Sequence, residues 1–491
     1  MGVTASVTGI VVGMSLWIRY WSELCTPTHP IGDLASDGLM VELARNYKLN
    51  HGHYSQFGFF HPGAAMFYLE SAGETLFHNW LHLFPNGYDA TWATVLLANA
   101  ALIGLSGFCL GVAFASTRVI VASTAGFLIF ALLPTRTFAQ SLNGLLPQSW
   151  IPVQTLWCFL FLACSLVYLL ARKPSGFILV GVAATWVAQR YILLMPVAIA
   201  SLAFGWTVAW RTVDPRQRGR YLTWGIASVV TLYIPNLLGV VLDWPWQFSN
   251  YWHAVTHPAK DPRTIVQSFD LVASFWGLHQ GWVFALLLLI SIGLAFVVYR
   301  MRPSAERSGY LAIIAVIYVG TLVAILMAYG IDSSVDQLHA YELSFYLGVV
   351  ALGYGAIAIA ILRWWVAYAV VPIALAFGNF GAPPALGFTD IDLAQSAIIK
   401  SAAGHAIEYV SINADNWIWI DGMLLENVQS GIPSCAIHFD HNSAFVFAPE
   451  HVCSSANVST PAKFLVNPGA SVPGGQTIYT SKDLDIIRLP G

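Results

Sequence analysis

Long apolar runs recur along most of this chain, separated by short polar links. About 20 apolar residues, at the helical rise of ~1.5 Å each, cross the ~30 Å hydrocarbon core of a bilayer. On that pattern we read membrane spans near 3–19, 90–115, 119–135, 151–171, 176–189, 191–210, 222–243, 281–299, 309–330, 342–361 and 364–380, about eleven in all. The first run has no charged leading region and no clear A-x-A cleavage site, so it reads as a span rather than a signal peptide. Two stretches break the pattern: a long polar and aromatic segment at about 20–89, and a tail from 381 onward. The expected fold is mainly α, a polytopic helical membrane domain over 1–380 with a small α+β domain over 381–491.

Composition agrees with a membrane solvent. Hydrophobic residues make up 57% and charged ones 10%, against about 25% charged in ordinary soluble domains. The net charge is only −3, with no Lys/Arg cluster of the kind that binds nucleic acid. Charge also orients the chain, because cytoplasmic loops retain Lys and Arg. Arg118, Arg172, Lys173, Arg211, Arg216, Arg218, Arg220, Arg300, Arg302, Arg307 and Arg363 fall in alternate short links and make up half of the 22 basic residues. Those links are expected inside, with the N-terminus cytoplasmic and the tail periplasmic or extracellular. All fourteen histidines then lie outside, as do all acids except Asp214 and Glu306. Arg19, after the first span, opposes this orientation locally, but the later loops outweigh it. The expected home is a bacterial inner or cytoplasmic membrane, with its chemistry on the outer face.

The first external loop carries the densest candidate chemistry. GDLASDGLMVELA, residues 32–44, places Asp33, Asp37 and Glu42 just past the first span. The segment 34–49 reads as a helix that Asp33 can N-cap. Asp37 and Glu42, five apart on it, lie about 140° apart and need not share a face. From Pro62 onward, Glu70, Glu74, His78 and His82 recur every four residues, with Phe67, Phe77, Trp80, Leu81 and Phe84 mostly opposite. That spacing predicts an amphipathic helix lying at the membrane surface. A metal site on the Glu/His stripe is chemically allowed, but the stripe alone is weak support for one.

The stretch DGLMVELA followed by HGHYSQFGFFHPGAAMFY resembles the first external loop of bacterial GT-C glycosyltransferases, which use lipid-linked sugar donors. In those chains the pattern runs approximately D-x-A-L-x-E-L, then G-x-Y-S-R-F-G-W-x-H-P-G-P-x-x-F-Y. Asp37, Glu42, Tyr54, Ser55, Phe57, Gly58, His61, Pro62 and Gly63 match it. Gln56 stands where the pattern has Arg, which puts an anion-binding role there in doubt. Looser likenesses are Ser149–Pro152, Gln189–Arg190 and the tail segment DNWIWIDGMLLENVQSGIPSCAIHF.

The resemblance implies a polyprenyl-phosphate-linked sugar donor and an envelope glycan, lipid or protein acceptor, with membrane lipid as the surrounding partner. It implies Asp37 as general base, Asp33 as second candidate, and Glu42, Tyr54, His61, Arg190 and Arg136 as substrate-binding candidates. An ionised carboxylate can take the acceptor proton, and a departing phosphate needs positive charge or donors. Arg190 stands out because 176–210 must cross twice in few residues, which leaves it near the membrane boundary; its bland reading is snorkelling to headgroups. For His61 the bland reading is a turn opening the surface helix, and for Arg136, Lys260 and Arg263 an ordinary loop charge.

Trp244, Trp246, Tyr251 and Trp252 suit an aromatic interface belt. Cys109, Cys158 and Cys164 lie in spans and read as small apolar packing residues. Cys435 and Cys453, both in the tail, are expected to pair as a disulfide outside the cell. No spacing indicates a bound metal or other cofactor, although a divalent ion is compatible with the site. In the tail, 416–429 reads as a helix, and 434–439, 443–448 and 477–488 as strands. Two competing classes are a transporter or lipid flippase, and a non-catalytic scaffold retaining the fold. Transporters more often show paired halves and broken helices with polar residues at the midplane, whereas the charges here concentrate in one external loop.

Overall fold

The structure is a computed structural model of the whole chain. It describes all residues except 56–58, 133–143, 172–174, 243–246, 257–260, 279, 302–303, 332, 334–340, 381–388, 412–415, 439–450, 454–460, 468–471, 482–483 and 491. Gln56, Arg136, Lys260, Trp244, Trp246 and the strand expected at 443–448 therefore lie outside the described residues. The chain divides into two compact units: residues 1–21, 95–234 and 257–384 form one, and 22–94, 235–256 and 385–491 the other.

Each expected span coincides with a helix. Among the described residues six helices are long and apolar enough to cross a membrane: Gly2–Arg19, Gly87–Ala113, Ile151–Leu170, Ile192–Thr212, Pro215–Leu242 and Glu306–Tyr329. The other apolar helices are shorter, among them Thr117–Leu132, Gly176–Arg190, Tyr346–Ile361 and Trp365–Phe377. Lipid tails supply no hydrophobic contrast between helices, so close packing has to hold them together, and small residues allow it. In the first unit a Cβ added at Gly126 would stand 2.6 Å from the Tyr354 carbonyl oxygen, and one at Gly348 would stand 2.7 Å from that of Leu156. Helix Tyr346–Ile361 thus presses its backbone neighbours on two sides, and Trp157, Phe127, Phe130, Phe345 and Tyr346 fill the interior around it.

The second unit joins the first external loop to the tail. Helix Asp33–Arg45 leads to a short hairpin of β1 (Tyr54–Ser55) and β2 (Phe59–Phe60), with Tyr54 opposite Phe60. The hairpin is braced by helix Phe248–Thr256. There the Tyr251 hydroxyl donates to the Phe60 carbonyl at 2.7 Å, and Phe59 meets the Tyr251 ring edge-on at 5.3 Å.

The tail holds helices Thr389–Ala402 and Trp417–Gln429 and five strands: β3 (Ile407–Ser411), β4 (Ser434–His438), β5 (Ala462–Val466), β6 (Gln476–Thr480) and β7 (Asp485–Arg488). Their order is β4-β3-β5-β7-β6, with β3 parallel to β4 and β5, and β7 antiparallel to β5 and β6. The stretch 477–488, which alternates as one strand would, is a hairpin of two, β6 and β7. Cys435 and Cys453 are joined by a disulfide, with Cα atoms 4.9 Å apart. Ala35 and Leu39 of the first loop share one apolar core with Ile398, Ile407, Tyr409, Ile420, Leu424 and Phe464 of the tail.

Candidate functional site

Helix Asp33–Arg45 has almost no exposed side, with Leu34 to Glu42 buried apart from the half-buried Gly38. One side packs on helix Trp417–Gln429 at very short range. A Cβ at Gly38 would stand 2.6 Å from Leu425 Cδ2, and one at Gly422 would stand 2.8 Å from the Pro30 carbonyl oxygen. The Gly32 amide, at positive φ, donates to the Ile418 carbonyl at 2.8 Å. Gly32 meets Ile418 and Gly38 meets Leu425, so the two helices run in the same direction with Asp33 and Asp37 between these contacts. A helix this tightly held presents its acids in fixed positions.

The sequence suggested Asp33 as an N-cap; the cap position is instead Gly32, and no side chain caps the helix. Asp33 accepts a hydrogen bond from the Tyr54 hydroxyl of the hairpin. Burial first, and then the Asp33 carboxylate, push the Tyr54 phenol well above its ordinary value, so it stays a donor. Asp37 Oδ1 lies 2.6 Å from His53 Nδ1. An ionised carboxylate only accepts, so the imidazole donates there. Tyr54 also packs on His53, with ring centroids 4.3 Å apart, and edge-on against Trp417 at 5.6 Å. Asp33, Asp37, His53 and Tyr54 thus form one cluster, floored by the helix and walled by the hairpin.

Glu42 is drawn elsewhere. It pairs with Arg45, which also reaches Glu74 at 3.0 Å. Burial raises Glu42 to about 7, the Glu74 charge adds to this, and Arg45 opposes it. This is a buried acid–base–acid network that joins two helices. His61 is buried as well, and desolvation, with a smaller push from His53, lowers it to about 3. It is a neutral imidazole and brings no charge to an anion. Glu70 and Glu74, expected on the wet side of a surface helix, are buried, while Trp80 is 73% exposed. The α-helix ends at Glu74, and Thr75–Trp80 winds as a π-helix that rotates the face.

Arg190 belongs to the first unit, at the C-terminus of Gly176–Arg190. It is buried and donates to Gln154. Among the described residues no carboxylate pairs with it, and its Nε has no partner. The same unit contains an apolar cavity of about 680 Å³ running along helices Ile151–Leu170, Met195–Thr212 and Ser304–Tyr329. Phe159 and Leu193 mark one end of it, five residues beyond Gln154 and three beyond Arg190. Leu170, Phe204 and Ala315 mark the other, some ~16 Å away at the helical rise.

Three residues at or beside the site were not foreseen from the sequence. Arg45 gave a signal, being three residues after Glu42, and His53 lies inside the quoted HGHYS. Asp421 is the third. It is fully buried in the tail helix, and neither carboxylate oxygen has a hydrogen-bond partner among the described residues. An acid amid Trp417, Ile418, Trp419 and Ile420 is itself a signal, because an apolar helix face seldom buries an unpaired charge.

A separate group of His29, Asp392 and Glu426 offers ligand atoms within 4.8 Å of one another and could hold a divalent cation. His29 already uses both ring nitrogens, at 2.8 Å to Glu426 and 3.2 Å to Asp392. The Glu426 hydrogen bond, against an opposing burial effect, raises its pKa above 6.5.

No protein-family model and no curated protein sequence matches the chain. Among solved structures, ArnT from Cupriavidus metallidurans bound to undecaprenyl phosphate superposes with a TM-score of 0.57 at 11% identity. The match covers 98% of this chain and 97% of that one. The oligosaccharyltransferase of Archaeoglobus fulgidus in its apo form aligns at TM-score 0.36 and 13% identity, over 87% of this chain and 64% of that one. The first likeness shows a shared fold over nearly the whole length.

Proposed function

We propose that the protein is an integral membrane glycosyltransferase that moves a sugar from a polyprenyl-phosphate donor to a hydroxyl on an acceptor at the outer face of the membrane. The observation that carries this reading is the buried Arg190, with its Nε unpartnered among the described residues, three residues before Leu193 of the apolar cavity wall. A buried guanidinium without a counter-ion is costly, and a phosphate head would satisfy it while the polyprenyl chain fills the cavity. The ArnT neighbour was crystallised with a ligand of that kind, undecaprenyl phosphate, which supports the assignment.

In the second unit, Asp37 is the proposed base. The acceptor hydroxyl gives its proton to Asp37, its oxygen attacks the anomeric carbon, and the bond from that carbon to the phosphate oxygen breaks, leaving the electron pair on phosphate. His53 holds the carboxylate in place, and Tyr54 holds Asp33 beside it. In the first unit, Arg190 is the proposed phosphate-binding residue. Glu42 has a supporting role through Arg45, and His61 is proposed to contact the acceptor as a neutral donor or acceptor. Arg136 stays a second candidate for the phosphate.

Purified protein in proteoliposomes, given a labelled polyprenyl-phosphate sugar and cell-envelope acceptors, tests the reading. Label transferred to acceptor supports it. Donor-independent passage of solute, or lipid flipping without transfer, would move the protein to the transporter class.

A further inference from the structure

Asp421 is a buried acid near the proposed site that the mechanism above leaves unused. It sits on the face of helix Trp417–Gln429 that carries Ile418 and Leu425, between their contacts with Gly32 and Gly38. That places it opposite the turn of helix Asp33–Arg45 that bears Asp33 and Asp37. It is wholly excluded from solvent, with both oxygens unpartnered among the described residues. Its neighbours in the same helix do not relieve it: Glu426 is engaged with His29, and Asn427 with Gln395 and Tyr409. From the facing helix and hairpin, Asp33, Asp37 and Tyr54 are the titratable groups close enough to interact with it. Arg45 is committed to Glu42 and Glu74, and His53 to Asp37.

We propose that Asp421 is a positioning residue of the same site, a carboxylic acid from the tail that keeps its proton so that Asp37 can keep its charge. The inference rests on the glycosyltransferase reading for its catalytic meaning, but not for its structural content. A wholly desolvated carboxylate beside two others is disfavoured in its ionised form. The one with no hydrogen-bond donor and no exposure is the one that stays neutral. Burial, followed by the Asp33 and Asp37 charges, pushes Asp421 well above the ordinary carboxylate range. Asp37 has an imidazole donor and Asp33 a phenol donor, whereas Asp421 has neither among the described residues. The proton is therefore sorted by partners, and the base is left charged. On this view the tail is part of the site rather than a cover over it.

The test reads protonation and activity separately. Infrared spectroscopy of the intact protein at neutral pH should show a protonated-carboxyl C=O band that disappears in Asp421→Asn. In transfer assays Asp421→Asn, a neutral isostere, should flatten the alkaline limb of the pH–rate profile. Asp421→Ala should lose at least tenfold in kcat with little change in acceptor KM, while thermal unfolding confirms that it folds. If no such band belongs to Asp421 in the wild type, the inference is overturned, whatever the variants do. A folded Asp421→Ala with the wild-type rate and pH profile overturns it too. Full activity of Asp37→Asn would instead sink the glycosyltransferase mechanism and leave the infrared result standing.

Discussion

Gly38, where helix Asp33–Arg45 meets Leu425, and Gly422, where helix Trp417–Gln429 meets the Pro30 backbone ahead of that helix, allow a matched test of the packing. Both lie inside helices, so replacing either with Ala gains about 1 kcal/mol of helix propensity. What the new methyl meets differs. At Gly38 it would come 2.6 Å from Leu425 Cδ2, the far end of a side chain that can turn aside. Moving that leucine off its rotamer costs about 0.5–1.5 kcal/mol, so Gly38→Ala should be close to neutral. At Gly422 the methyl would come 2.8 Å from the Pro30 carbonyl oxygen and equally near Ile391 Cδ1. Backbone cannot turn aside, and overpacking of this kind costs about 1–3 kcal/mol. Gly422→Ala is therefore predicted to destabilise the helix pair by up to about 2 kcal/mol after the propensity gain is subtracted. Hydrogen exchange of the Trp417–Gln429 amides in the detergent-solubilised protein reads this locally. Exchange should speed up by as much as ~30-fold in Gly422→Ala and change little in Gly38→Ala. Equal exchange in the two variants, or the reverse order, would refute the claim that backbone contact at Gly422 limits the approach.

Arg190→Gln should weaken binding of polyprenyl phosphate at least tenfold, measured by titration in detergent, while melting changes little; unchanged affinity would remove Arg190 from the donor site. Glu42 has its folded pKa raised from 4.5 to about 7, so the fold favours its protonated form and stability falls as pH rises from about 4.5 through 7. Thermal melting across that window should show the slope in wild type and lose part of it in Glu42→Gln. His29 carries its charge when protonated: its raised pKa contributes stability below pH 6.5, lost as pH rises through the folded value, and His29→Gln should flatten melting there. Opening the Cys435–Cys453 disulfide, which closes an 18-residue separation, should cost about 3 kcal/mol on the loop-entropy account. Proteolysis of the tail with and without reductant measures it.

The helical pattern was legible because apolar runs of membrane length seldom occur outside membrane-spanning helices. The site was legible only in part. Asp33, Asp37 and Tyr54 stood in a recognisable stretch, and the structure brings them together. The same stretch held Glu42 and His61, whose character burial changes: Glu42 joins Arg45 and Glu74, and His61 is stripped of charge. Periodicity put Glu70 and Glu74 on a wet face because it assumes a continuous α-helix; the π-helical turn at Thr75–Trp80 breaks that assumption. Asp421 carried a local signal, an acid in an apolar stretch, but its role was hidden for a different reason. Its meaning depends on helix Trp417–Gln429 meeting the first loop almost 400 residues away in the chain, and no local spacing encodes such a contact.

The central claim is that Asp37 is the base of a sugar transfer from a polyprenyl phosphate. Single-turnover transfer by Asp37→Asn, compared with wild type and Asp33→Asn at equal melting temperature, tests it most directly. The account predicts a loss of about a thousandfold for Asp37→Asn, the middle of the ~10²–10⁴ range of general-base contributions, and a smaller loss for Asp33→Asn. Wild-type turnover in Asp37→Asn would contradict it.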